Sequence, residues 1–274
     1  MCRKRRILRP IVSNKSFNIL FIADIVGKPG MDVLAGLLPG LKKSHNVDFC
    51  VANGENADGG NGLIEALARQ LFGLGVDVIT GGNHTWGNAQ FRAYLDNSQK
   101  VLRPLNYPPA APGHGSVVVT STRQIPVAVI NLQGRTFMYS IDCPFRTGHE
   151  EVARMREKAA IILIDFHAEA TAEKAALAWY LDGSVSAIIG THTHVQTADE
   201  RILPRGTAFI TDVGMTGPHD SVIGMEAQVA IKRFTTILPE KYRIASANVR
   251  LNGALIEVDP QNGRALRISR INVP

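Results

Sequence analysis

The sequence has few cysteines and no pattern that would pair them. Cys2, Cys50 and Cys143 are odd in number, lie far apart and form no CxxC motif. This usage argues against a disulfide framework, and we expect a reducing, cytoplasmic location.

Long hydrophobic runs are missing as well. No apolar stretch approaches the roughly 20 residues that a membrane-spanning helix needs, so we expect no membrane segment. The N-terminal segment also lacks the apolar h-region of a signal peptide. With 45% hydrophobic and 20% charged residues among 274, the chain has the composition of a globular protein.

Acidic residues are absent from residues 1–15, where six basic residues lie: Arg3, Lys4, Arg5, Arg6, Arg9 and Lys15. The whole chain has 30 basic and 24 acidic residues, so the net charge of +6 belongs to this extension and the remainder is neutral. We expect residues 1–15 to be a disordered extension, or to reflect a start codon assigned too far upstream. A basic arm that touches nucleic acid or an anionic surface is the alternative. The neutral remainder predicts no extended nucleic-acid surface.

From residue 17 onward, short apolar runs alternate with stretches of helical period. The first strands are predicted at 17–23, 47–52 and 76–80, and the helices between them at 31–43 and 63–74. This alternation predicts a layered α/β domain with neighbouring parallel strands.

The later part of the chain has a different rhythm. Further strands are predicted at 117–122, 126–131, 160–166, 185–189 and 209–210, a helix at 171–181, and a β-meander from Ala245 with a turn at 259–263. A parallel half followed by a more antiparallel half predicts two sheets packed face to face with helices outside. Because no internal boundary is visible, we predict that residues 17–274 form a single domain.

Two histidines follow the apolar run at 185–189. His192 and His194 lie in the segment Gly190-Thr-His-Thr-His-Val195. Residues i and i+2 at a strand end point the same way, which favours a metal site, and imidazole is the commonest transition-metal ligand. For an isolated HxH motif, a solvated loop is an equally good interpretation.

Other predicted strands also end in groups that bind metals or move protons. The residues concerned are Asp24, Glu55 with Asn56, Asn83 with His84, His167, and the pair His192 and His194. Open α/β sheets bind ligands beyond the carboxyl ends of their strands, so a shared site explains this pattern better than chance. Taken singly, Asp24 could cap a helix, the asparagines could form turns, and His167 could be a satisfied core histidine.

The donor inventory points to two ions. Its seven candidate ligands are Asp24, Glu55, Asn56, Asn83, His167, His192 and His194, whereas one tetrahedral zinc takes three or four. The set fits two ions about 3.5–4 Å apart that share one carboxylate, as in two-metal phosphoryl chemistry. Oxygen and nitrogen donors without thiolate favour iron, manganese or zinc.

These blocks resemble the five ordered motifs of calcineurin-like metallophosphoesterases. The fuller resemblance is to their YmdB-like branch, through the segments 21–30, 52–57, 81–86 and 211–221, and it covers roughly residues 17–274. Two departures from the wider superfamily are visible: Val26 stands where the first motif usually has histidine, and Glu55 where the second usually has aspartate. Both departures are typical of the YmdB-like branch.

The resemblance implies an α/β fold, a four-layer αββα sandwich of two mixed β-sheets flanked by helices. It also implies a phosphodiesterase acting on cyclic nucleotides, with iron or manganese most often suggested as the metals. Carried over by position, Asp24, Glu55, Asn56 and His194 would hold the first ion. Glu55, Asn83, His167 and His192 would hold the second, so Glu55 would bridge the two.

The expected chemistry is attack on phosphorus by a metal-bridging hydroxide, with His84 as the general acid that protonates the leaving group. His84 could instead be a further ligand or a helix cap. The segment 214–221 is expected to wall the substrate pocket, and no individual substrate-binding residue is assigned. Alternative functions are a phosphomonoesterase, a nuclease for RNA ends, or a metal-binding regulator with incidental catalysis. The sequence leaves open whether the protein forms a homo-oligomer.

Overall fold

The computed structural model describes residues 16–274, and the expected basic extension at 1–15 lies outside the described residues. The strands are β1 (Phe17–Ile22), β2 (Asp24–Ile25), β3 (Phe49–Asn53), β4 (Val78–Thr80), β5 (Ser116–Thr120), β6 (Pro126–Gln133), β7 (Ile161–His167), β8 (Ala187–Thr191), β9 (Arg201–Ile202), β10 (Ala208–Ile210), β11 (Met215–Pro218), β12 (Val249–Val258) and β13 (Ala265–Val273). The helices are α1 (Gly27–Ser44), α2 (Glu65–Gly73), α3 (Phe91–Asn97), α4 (Pro144–Arg156), α5 (Thr171–Tyr180) and α6 (Ala227–Thr236). None of the helices between residues 16 and 274 is long and apolar enough to cross a membrane.

The strands form two mixed sheets. The first has the order β2-β11-β12-β1-β3-β4, with β13 paired to β12. The second has the order β5-β6-β7-β8-β10-β9. Parallel pairs join β1 to β3 and β3 to β4 in the first sheet, and β6 to β7, β7 to β8 and β8 to β10 in the second. The carboxyl ends of these parallel strands are where an α/β sheet offers its ligand site.

Burial confirms the four-layer αββα sandwich. The inner core combines residues of both sheets, such as Phe21, Val51, Leu163 and Ile189, all essentially inaccessible. A second cluster packs α1 and α2 on the outer face of the first sheet, and a third packs α4 and α5 on the outer face of the second. Each sheet thus buries both faces, which is why its central strands are continuous apolar runs rather than alternating ones.

One part of the topology prediction was wrong. The C-terminal strands do not belong to a separate antiparallel half. Instead, β12 pairs antiparallel with β1, with Phe17 opposite Val258 and Ile22 opposite Gly253, and so completes the first sheet. The second sheet has a parallel centre. Strand pairing across more than 200 residues leaves no trace in local periodicity, so the pattern of runs could not show which strands are neighbours.

Candidate metal centre

The seven predicted ligands come together at the shared edge of the two sheets. Asp24, Glu55, Asn56 and His167 are buried, and the remaining three, Asn83, His192 and His194, are partly buried. They follow or end β1, β3, β4, β7 and β8, so both sheets contribute. The convergence that the strand ends predicted is present, while the assignment of each side chain as a ligand stays a prediction.

One group of donors surrounds the imidazole of His167. Its Nε2 lies 3.0 Å from Glu55 Oε1, 3.0 Å from Asn83 Oδ1 and 3.0 Å from His192 Nδ1. Glu55, His167 and His192 offer ligand atoms that all lie within 4.8 Å of one another. Separations of this size suit donors that converge on one cation.

A second group forms around His194. Its Nε2 lies 3.8 Å from Asp24 Oδ1 and 3.2 Å from Asn56 Nδ2. Asn56 Nδ2 also donates to Glu55 Oε1 over 3.3 Å, so Glu55 contacts members of both groups. The two groups match the two ligand sets that the resemblance implies, with Glu55 between them.

The environment of Asp24 shows whether the donor set suits a cation. Its carboxylate is fully buried, and Oδ1 has no hydrogen-bond partner. Burial raises the pKa of Asp24 well above its usual value, and nearby Glu55 and Asp212 raise it further against the opposing effect of His167. A buried carboxylate oxygen without a donor is costly unless positive charge faces it. The residues present therefore fit a metal ion.

Glu55 and His167 face each other and shift each other's pKa in opposite directions. Although burial opposes the charge on either group, the pKa of His167 rises to about 9 because Glu55, Asp24 and Asp165 surround it. Burial by itself would raise the pKa of Glu55, but His167 and His84 lower it well below its usual value. His192 differs: burial and the neighbouring His167 lower its pKa to about 3, so it is a neutral nitrogen donor, the form that binds metals.

His84 lies at the mouth of the site with its side chain 40% exposed. Its Nδ1 is 2.9 Å from Asn56 Oδ1 and 3.4 Å from Glu55 Oε1, and its backbone N–H donates to Glu55 Oε2 over 3.1 Å. These contacts orient the ring and leave Nε2 as the nitrogen that a substrate can reach. The geometry suits a proton donor that stands beside the ligands.

His192 and His194 do not continue a strand, so the geometry predicted for them was wrong. β8 ends at Thr191, and both histidines have left-handed backbone angles, with φ of 98° and 64°. Such angles are costly for residues other than glycine and persist where the surroundings impose them. Here Asp212 Oδ2 accepts hydrogen bonds from the Thr193 N–H and hydroxyl over 3.0 and 2.7 Å. Lys174 neutralises that carboxylate from α5 over 2.7 Å, and both groups are buried.

A buried carboxylate that the motifs did not include organises the other side of the site. Asp165 Oδ1 accepts from the Thr191 hydroxyl over 2.7 Å, and Thr191 Oγ1 is 3.0 Å from His167 Nδ1. The other carboxylate oxygen of Asp165, Oδ2, accepts hydrogen bonds from Asn53 Nδ2 over 3.0 Å and from the Thr80 hydroxyl. Asp165 thus joins β3, β4, β7 and β8 beneath the predicted ligands and orients the His167 ring. Its position within an apolar run, one residue before Phe166, was the available signal.

We expect Asp165→Ala to lower the free energy of unfolding by about 2–4 kcal/mol, because it leaves three buried donors without an acceptor. Urea unfolding of chelator-treated protein measures this. Asp32→Ala is the control, since the Asp32–Lys28 pair is 60% and 83% exposed and should contribute little. An equally stable Asp165→Ala protein would contradict the structural role given to this carboxylate.

Other close neighbours refine the site. A Cβ on Gly82 would lie 2.3 Å from both Glu55 Oε2 and His167 Cδ2, so only glycine fits between these two groups. Glu169 Oε2 lies 3.1 Å from His192 Nε2, a contact that was not expected from the sequence. The segment 214–221 contributes His219 and Ser221 to a cavity of about 510 Å³ that His194 also lines.

The chain is similar in sequence and in fold to several known proteins. The family model described as YmdB-like protein matches residues 20–271. The 2',3'-cyclic-nucleotide 2'-phosphodiesterase of Bacillus subtilis (strain 168) is 48% identical, over 92% of this chain and 96% of that protein. Two solved structures have a TM-score of 0.88. One is a hypothetical protein from Thermus thermophilus, 40% identical, which covers 94% of this chain and 100% of its own. The other is described as a novel phosphatase from Mycoplasma pneumoniae, 34% identical, with coverages of 94% and 93%.

Proposed function

The chain belongs to the YmdB-like family, and from this membership and the geometry of its site we propose that it is a dinuclear-metal phosphodiesterase acting on 2',3'-cyclic nucleotides. The family match confirms the resemblance drawn from the motifs. The relative that is 48% identical is named for this phosphodiesterase activity, which supports the enzyme class. The substrate, the second metal and the residue roles are the proposal.

One observation carries the proposal. Donors from five strand ends converge in two groups, and Glu55 contacts members of both, with Oε1 3.0 Å from His167 Nε2 and 3.3 Å from Asn56 Nδ2. A carboxylate shared between two donor groups is the arrangement that holds two cations about 3.5–4 Å apart. Iron and manganese are the metals proposed, with zinc as the alternative, because the donors are oxygen and nitrogen.

In the mechanism, the two donor groups would hold the metal ions beside the phosphate of the substrate. Bound cations lower the pKa of water and neutralise charge on the phosphoryl oxygens. Water attacks phosphorus and releases one proton to solvent, the bond to the ribose 2'-oxygen breaks, and a proton must reach that oxygen because an alkoxide leaves poorly. His84 is placed to donate it through Nε2, since its Nδ1 is directed at Asn56 Oδ1. The product is a nucleoside 3'-phosphate.

Metal removal tests the proposal directly. We expect protein purified without chelator to carry close to two transition-metal equivalents per chain, to lose hydrolysis of 2',3'-cyclic AMP on chelation, and to regain it when iron or manganese is added. Elemental analysis beside the activity assay measures both quantities. Fewer than about 1.5 equivalents, not restored by added metal, would overturn the dinuclear centre.

Two other functions stay testable alternatives. A monoesterase would prefer a nitrophenyl monoester, and an RNA-end nuclease would prefer short RNA, so the three substrates should be assayed side by side. The balanced charge outside residues 1–15 favours a small substrate over extended RNA, because RNA binding depends on basic groups that neutralise phosphates. A regulator with incidental catalysis would keep its effect in cells when turnover is abolished.

A further inference from the structure

The loop that follows β6, residues 134–139, presents aromatic side chains to solvent next to the metal centre. Phe137 is 89% exposed and Tyr139 is 68% exposed. We propose that this loop is the nucleobase platform of the site and that Phe137 stacks on the base of a nucleoside phosphate. The inference rests on the proposed function and adds to it a specificity-determining residue.

The loop begins beside a predicted metal ligand. Gln133, the last residue of β6, pairs in register with His167, and the Gly134 N–H donates to the His167 carbonyl over 3.0 Å. Phe137 follows Gly134 by three positions, so it lies at most about 10–11 Å further along the chain. The base of a nucleotide lies one sugar ring from its phosphate, which brings it within reach of this loop.

The loop is held in place from the helix beneath it. The carboxylate of Glu173, in the first turn of α5, accepts hydrogen bonds from the N–H groups of Arg135 and Thr136 over 3.0 and 3.1 Å. Met138 N–H donates to the Arg135 carbonyl over 3.2 Å and closes a turn around Phe137. An exposed aromatic ring on an anchored turn is preorganised for a flat partner.

Phe137 carries two energetic costs, and a bound base would offset the second of them. Its φ of 61° lies in the left-handed region, which is uncommon for a bulky residue and tends to persist at functional positions. Its ring also leaves most of its apolar surface in water, although covering such a surface is favourable. A stacked base would cover this ring.

Aromatic contacts connect the platform to the loop that carries His84. Tyr107 donates its hydroxyl to Gln133 Oε1 over 3.1 Å, and its ring lies 4.6 Å from that of Trp86, two residues after His84. Tyr107 therefore joins the end of β6, where the platform loop begins, to the loop that carries His84.

A nucleobase is the flat, apolar-faced group that suits this ring. Stacking on an aromatic side chain contributes about 1–3 kcal/mol per base by alanine substitution, and every base has a π-face. We therefore expect Phe137 to select nucleosides over base-free ribose phosphates, with little preference among the four bases.

The test compares a cyclic nucleotide with its base-free counterpart. For Phe137→Ala we expect the KM for 2',3'-cyclic AMP to rise by about 5- to 150-fold, the range that corresponds to the stacking energy, with kcat unchanged. The KM for 1-O-methylribose 2',3'-cyclic phosphate should not change. Phe137→Trp should restore the wild-type KM. Phe234→Ala, on α6 and 79% exposed in the wild type, is the matched control and should alter neither KM.

Three results would overturn the platform: an equal rise in KM for both substrates, no rise for the nucleotide, or a change only in the oligomeric mass of the Phe137→Ala protein. If the wild-type enzyme hydrolyses neither substrate, the proposed function fails instead. Equilibrium binding of 3'-AMP and of base-free ribose 3-phosphate to wild type and Phe137→Ala then still decides the question. Selective loss of 3'-AMP binding supports the platform, and its absence rejects it.

Discussion

Replacing His84 by alanine is expected to lower kcat for 2',3'-cyclic AMP by about 10²–10⁴-fold, the usual contribution of a positioned proton donor, without loss of metal. His84 is oriented by Asn56 and Glu55 through Nδ1, and its 40% exposed side chain stands at the mouth of the site. A ribose oxygen leaves poorly as an alkoxide, so loss of the donor should slow the chemical step. Steady-state kinetics and elemental analysis of the same preparation measure the two parts.

The leaving group provides the internal check on this interpretation. A p-nitrophenyl phosphodiester releases a stabilised anion, so His84→Ala should lose far less activity on it than on the cyclic nucleotide. His149→Ala is the matched histidine control, because His149 is exposed on α4 beside Tyr180 and should alter neither rate. Equal losses on both substrates would contradict the role of His84 as proton donor, and loss of a metal ion would instead make His84 a ligand.

Glu55→Gln is expected to remove both metal ions and to lower kcat/KM by more than about 10³-fold. The carboxylate is buried and contacts members of both donor groups, through His167 and Asn56. Glutamine keeps the size of the side chain but carries no charge and offers a single oxygen to the two groups. Metal content and activity should therefore fall together.

Single-site ligand variants distinguish a bridge from a simple ligand. His192→Ala and His194→Ala should each empty one metal position, whereas Glu55→Gln should empty two. Glu151→Gln is the control for loss of a buried glutamate, because Glu151 is 4% exposed and binds Ser116 and Arg154 away from the centre. If Glu55→Gln kept one full equivalent of metal, Glu55 would not bridge. Thermal unfolding of each variant shows whether it still folds.

Much of the candidate site could be predicted from the sequence because its information is local. Glu55 and Asn83 each lie three residues after the end of a predicted apolar run, and the ligand positions of parallel strands share one edge of a sheet. The helices were predicted less completely. α1 begins at Gly27 rather than Met31, and α3, α4 and α6 were missed. α4 and α6 have a low mean hydropathy, so their apolar faces are weak signals in the sequence.

The support of the site was hidden because it consists of buried charges. Asp165, Lys174 and Asp212 are each at most 1% exposed, yet in the sequence they look like ordinary polar residues. Their partners lie far along the chain: Lys174 is 38 residues from Asp212, and Asp165 is 112 residues from Asn53. No periodicity records such pairs.

The sequence by itself determined the family, the αββα layers and the candidate donors of the site, because each rests on a short motif or on the period of an apolar run. Only the tertiary structure decided that the C-terminal hairpin completes the first sheet. It also decided that His192 and His194 turn through left-handed backbone held by Asp212, and that Phe137 stands exposed on the loop that starts beside His167. These features depend on contacts between distant segments, which form only when the two sheets pack together.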